Sequence, residues 1–111
     1  MDKKNCVFNE LKFYILYKLE ESLSFFLLNF RDPILVESNF VNVFESILSL
    51  KEVYMISCYG RNLKRFEILF QSVELLYENV LRILHNYNSK EKCSKEISVL
   101  FDTAFDLLTH F

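Results

Sequence analysis

Between Leu63 and Tyr87 the chain reads LKRFEILFQSVELLYENVLRILHNY, a run that no glycine or proline interrupts. Phe66, Leu69, Phe70, Val73, Leu76, Tyr77, Val80, Leu84 and Tyr87 recur three and four apart. That is the period of one helix face. Lys64, Arg65, Glu67, Gln71, Glu74, Glu78, Asn79 and Arg82 fill the intervening positions, so the other side is wet. Glu78 precedes Arg82 by one turn, the order that favours an ion pair along a helix. A long amphipathic helix needs other helices to cover its stripe, and the rest of the chain supplies them.

From about residue 7 to 30, Phe8, Leu11, Ile15, Leu19, Leu23, Phe26 and Phe30 form a second such stripe, after a short polar lead-in over residues 1–6. Arg31-Asp32-Pro33 then punctuates the chain. A residue before proline avoids helical angles, whereas proline suits the first turn of a new helix. Asp32 is therefore the expected N-cap of a helix over about 33–59. Its face carries Pro33, Val36, Phe40, Val43, Phe44, Ile47, Leu50, Tyr54, Met55 and Cys58. Gly60, the single glycine, stands where a left-handed cap is expected. Asn62 is the expected cap of the helix over about 62–87, and Ser89 that of a fourth over about 90–110. The last helix shows Cys93, Ile97, Leu100, Phe101, Ala104, Phe105, Leu108 and Phe111.

No stretch alternates with period two, so strands are not expected. Four helices joined by turns of about two to four residues favour antiparallel neighbours. The expected fold is all-α, an up-down-up-down antiparallel four-helix bundle in a single domain over residues 1–111.

The composition excludes several classes of function. A net charge of −2 points neither to a nucleic-acid binder nor to an acidic tail. The apolar runs FYILY and FFLLNF are cut by Lys18, Glu20, Glu21 and Arg31, too short to span a bilayer. Glu10 and Lys12 spoil any signal-peptide core after Lys3 and Lys4. Three well-separated cysteines, Cys6, Cys58 and Cys93, suit inert thiols in a reducing compartment better than a disulfide framework. The expected chain is soluble, unprocessed and cytoplasmic. One alanine among many Phe, Leu, Ile, Lys, Asn and Tyr residues is not a conformational choice in a helical protein, since alanine is the best helix former. It points to an AT-rich coding sequence.

Catalytic tools are not in evidence. There is no Cys-x-x-Cys or His-x-x-x-His for zinc, and no Glu-x-x-His pair for a two-metal bundle site. Arg82 stands three before His85, and Leu107 three before His110. Helical-bundle ribonucleases of the HEPN type space their Arg and His more widely than Arg82 and His85, which only two residues separate. One glycine rules out a Gly-rich phosphate loop. The expectation is no enzyme, no catalytic residue, no metal, no cofactor and no small-molecule substrate. His85 and His110 read as exposed residues near helix C-termini, where positive charge is favourable.

Two surface features remain. Arg61, Lys64 and Arg65 cluster at the start of the third helix, as Lys90, Lys92 and Lys95 do at the start of the fourth. The first trio is the expected contact for RNA or another polyanion, the alternative reading of function. The stronger signal is surplus hydrophobicity. A bundle helix needs about three residues in seven toward the core, near 43 per cent, and the chain is 51% apolar. On the first helix Tyr14, Tyr17, Phe25 and Leu28 form a second line, stepped by three and four once Glu21, which interrupts it, is counted. On the third, Ile68 and Leu75 lie two turns apart on the polar back. Such a surface predicts a protein partner or a second copy, packed helix on helix against these six residues.

Overall fold

The computed structural model describes residues 3–56, 61–86 and 89–111, with side chains from residue 7 onward except at 61, 62 and 90. Four helices follow in order: α1 (Lys3–Asn29), α2 (Pro33–Ile56), α3 (Arg61–Asn86) and α4 (Lys90–Thr109). Each packs against its neighbours in sequence, α4 closes against α1, and α1 also touches α3 across the diagonal. The molecule measures 48 × 23 × 19 Å, about the length of one long helix. It is an all-α, up-down-up-down antiparallel four-helix bundle.

The expected stripes line the axis, except that Pro33 at the start of α2 is exposed. Phe8, Leu11, Ile15, Leu19 and Phe26 of α1 are buried against Val36, Phe40, Phe44 and Ile47 of α2 and Phe66, Leu69, Phe70, Val73, Leu76 and Val80 of α3. Cys93, Ile97, Phe101 and Leu108 of α4 complete the core. Aromatic contacts fix the antiparallel register. At one end the Phe8 ring meets Phe66 edge-on at 5.3 Å, and Tyr54 stacks on Phe66 at 5.8 Å. The start of α1, the end of α2 and the start of α3 therefore share that end. Toward the other end Phe40 lies 5.7 Å from Phe26 and 5.8 Å from Phe101, and Phe44 stacks on Tyr77 at 4.9 Å.

The caps follow their sequence signals at two of three positions. The Leu35 N–H donates to Asp32 Oδ1 at 3.2 Å and the Val36 N–H to the Asp32 carbonyl at 3.1 Å. Ser89 has extended backbone angles and its hydroxyl accepts from the Lys92 N–H. Asn62 is not a cap: α3 already begins at Arg61, which puts Asn62 inside the first turn. The lead-in is shorter than expected too, since α1 begins at Lys3. Gly60, Cys58 and Tyr87 lie outside the described residues, as do the side chains of Lys3, Lys4, Cys6, Arg61 and Lys90. The end of α1 is closed by Asn29, whose side-chain amide donates to the Phe25 carbonyl at 2.9 Å. Arg82 does not reach Glu78; its guanidinium donates instead to Asn79 Oδ1 at 2.7 Å.

One buried polar residue interrupts the α1 stripe. Ser22 is only 1% exposed, and its hydroxyl donates to Asn39 Oδ1 of α2 at 3.2 Å. A buried hydroxyl that loses its partner costs more than a pair removed from the buried side. Asn39→Ala is therefore expected to destabilise by about 1–2 kcal/mol. Ser22→Ala is expected to stay within about 0.5 kcal/mol of the parent, because half-buried Asn39 can turn to water. Urea denaturation of the two variants checks this asymmetry.

Candidate functional site

The side of α1 opposite its buried stripe is not wet in the ordinary way. Leu28 is 84% exposed, Tyr17 60% and Tyr14 40%, so these three of the second line lie outside the single copy. Phe25, the fourth member, is half-buried. Phe13, at 64% exposed, belongs to the same face and was not among the expected contacts. Its signal was present: Phe13 precedes Tyr17 by one turn. The run FYILY obscured it, because its consecutive apolar residues point to several faces of the helix at once.

Charge on this face is sorted. Glu10, Glu20 and Glu21 are all exposed on the outward side of α1. The two nearby lysines come from the flanks and lie along the aromatic rings, Lys12 Nζ 5.5 Å from the Phe13 centroid and Lys18 Nζ 5.8 Å from that of Tyr14. Lys18 also pairs with Glu21 at 3.6 Å. A shallow depression bordered by Tyr17, Glu20, Glu21 and Ser24 marks the middle of the face. Near its far end Leu27 and Leu28 of α1 are exposed, as are Ile34 and Leu35 at the start of α2 beyond the Arg31–Pro33 turn.

The other two expected contacts, Ile68 (42% exposed) and Leu75 (59%), are on α3 and are not brought together with the α1 face. The surplus is also wider than α1 and α3. Val53 and Ile56 of α2, and Val99 and Leu107 of α4, are exposed as well. Val99 belongs to a groove of about 660 Å³ between α3 and α4, lined also by the half-buried Ile83 and Leu100. Arg82, Lys92 and Lys95 border it, opposed by Glu96.

The basic trio at the start of α3 is divided. Lys64 is exposed. Arg65 is half-buried, its guanidinium 4.0 Å above the Phe8 ring and its Nη2 donating to the Phe111 backbone oxygen at 3.4 Å. Arg65 thus ties α3 to α1 and to the end of the chain past α4. The Arg61 side chain lies outside the described residues.

The histidines are engaged at the surface. His85 Nε2 is 2.8 Å from Glu37 Oε1, linking α3 to α2. His110 caps α4, with its Nδ1 donating to the Asp106 carbonyl at 2.7 Å. Among the described residues no group of three or more His, Cys, Asp and Glu is placed to hold a metal ion. Among them, too, no helix is long and apolar enough to cross a membrane.

Compared with family models, with curated proteins and with solved structures, the chain matches none.

Proposed function

We propose that this chain is a non-catalytic protein–protein interaction module, a regulator, inhibitor or assembly subunit of a reducing, cytoplasmic environment. It acts by presenting the outer face of α1 to a protein. The observation that carries this reading is the exposure of Phe13, Tyr14, Tyr17 and Leu28 on one side of one helix. Aromatic residues flanked by charge are characteristic of interface patches rather than of ordinary solvated helix backs.

Magnitudes set the size of the partner. Full burial of a large apolar side chain is worth about 1.5–3 kcal/mol. Four residues that are already partly covered supply about 4–8 kcal/mol on that scale, against about 4–15 kcal/mol for lost freedom on association. The line by itself is too small for a tight complex. The partner must also cover further apolar residues, and Leu27, Ile34 and Leu35, on either side of the α1–α2 turn, are exposed.

Phe13→Glu combined with Tyr17→Glu tests the reading. Both residues are well exposed, so helicity by circular dichroism should be unchanged while association is lost. Phe25 is unsuitable for this purpose because its substitution would disturb packing within the monomer. The comparison is made by light scattering over a concentration series and by capture from the native host. A parent chain that stays monomeric, and captures nothing the double variant does not, would refute the proposal. The polyanion alternative loses ground because Arg65 is already committed to Phe8 and Phe111.

A further inference from the structure

We infer that the surface covering the α1 face is the α3–α4 groove of a second copy of this chain. The inference rests on the reading of α1 as an interface and names its occupant. Its basis is charge complementarity combined with apolar complementarity. The outward side of α1 joins Phe13, Tyr17 and Leu28 to three carboxylates, of which Glu10 and Glu20 stand apart from the flanking lysines and Glu21 pairs with Lys18. The groove joins Ile83, Val99 and Leu100 to Arg82, Lys92 and Lys95, with one carboxylate, Glu96, among them, so cations outnumber anions three to one. A helix with an apolar and acidic face fits an apolar trough bordered by cations.

The same charges argue against the symmetric choices. Two α1 faces brought together would set Glu10, Glu20 and Glu21 of one copy against those of the other. Two grooves brought together would oppose six cations with only two carboxylates, Glu96 of each copy, to offset them. Like charges across an interface are unfavourable by several kcal/mol, so each face selects the other kind.

The order of the helices then decides the type of assembly. α1 forms the corner diagonal to α3, and the groove opens between α3 and α4, so face and groove point away from each other. A pair using one face and one groove leaves a face free on one copy and a groove free on the other. The contact is heterologous, and growth continues past the dimer until a ring closes or an open chain forms.

Complementation tests this directly. One variant carries Phe13→Glu and Tyr17→Glu, the other Lys95→Glu and Val99→Glu, and sedimentation is followed from about 1 to 500 µM. The parent should grow beyond a dimer, and more weakly as salt is raised. Each variant alone should be monomeric. Their equimolar mixture should give a 1:1 pair and nothing larger, since only one working face and one working groove remain.

A second set guards against misfolding. Glu20→Lys with Glu21→Lys, and Lys92→Glu with Lys95→Glu, should each associate at least tenfold more weakly alone and recover when mixed. If the α1 variant is monomeric but the groove variant assembles like the parent, the groove assignment is wrong while the α1 interface stands. Failure of both mixtures to associate, with an associating parent, also overturns the assignment. A parent monomeric throughout the range rejects a second copy as the occupant and leaves a different protein on α1.

Discussion

Replacing Phe44 by alanine is expected to destabilise the protein by about 3–5 kcal/mol. Phe44 has no exposed surface. Its ring stacks on Tyr77 of α3 at 4.9 Å with planes 9° apart, meets Phe101 of α4 at 6.5 Å and 62°, and lies 6.3 Å from Phe40 one turn before it. Three helices thus use one side chain. Truncation removes transfer energy and leaves a cavity that three packed helices cannot collapse into without losing their own contacts. For a domain of this size each kcal/mol moves the midpoint by about 4–8 °C, so the thermal midpoint should fall by about 12–40 °C. The urea midpoint should fall with an unchanged slope. Leu28→Ala, at a site 84% exposed, is the control and should stay within about 0.5 kcal/mol. A Phe44→Ala loss as small as that of the control would mean that the aromatic column does not hold the bundle together.

The fold was legible because its signals are local and mutually consistent. Each buried stripe is written at helical spacing, and Asp32-Pro33 and Ser89 mark helix starts by means that involve only the next three residues. What escaped the sequence depends on neighbours distant in the chain. Ser22 looks like a polar gap in a stripe until Asn39, on another helix, accepts its hydroxyl. Arg65 looks like a free cation until Phe8 and Phe111 arrive beneath it. Arg82 had two acceptors within a turn, and the amide of Asn79 rather than the carboxylate of Glu78 takes it.

The candidate site was legible as an excess and only partly as an arrangement. Periodicity separates inside from outside, so Tyr14, Tyr17 and Leu28 were placed correctly on the exterior. It does not tell how far round a helix its neighbours reach. Phe25 is therefore half-covered, and Phe13 stands open beside Tyr17. The surplus on α2 and α4 was harder to see, because Val53, Ile56, Val99 and Leu107 sit close in sequence to true core positions. The α3–α4 groove is a product of packing: no single helix contains it, and Lys92 and Lys95 read as helix-start lysines, Arg82 as a partner of Glu78, until the two helices bring them together with Ile83 and Leu100.

The thiol of Cys93 is expected to react at least a hundredfold more slowly in the folded chain than in the unfolded one. Cys93 is 2% exposed, and burial first, then the nearby Glu96 carboxylate, pushes its pKa from 9.0 to about 11. Only the thiolate reacts, so the shift alone reduces the reactive fraction about a hundredfold near neutral pH, before any steric shielding. The measurement uses a Cys6→Ser, Cys58→Ser chain and a disulfide-exchange reagent, with and without denaturant. The folded rate should keep climbing with pH beyond 9, where the unfolded rate levels off. Stability is linked to the same shift. Below pH 9 the thiol is neutral in both states and full stability is present. Between about 9 and 11 the unfolded chain releases a proton that the folded chain keeps, so stability falls as pH rises through that window. Tyr77 acts in the same direction above its ordinary value of 10.0, because burial, with Glu45 and Glu37, raises its phenol. A midpoint that holds constant from pH 8 to 11, or a native thiol that reacts at the denatured rate, would show that the start of α4 is not closed over the core.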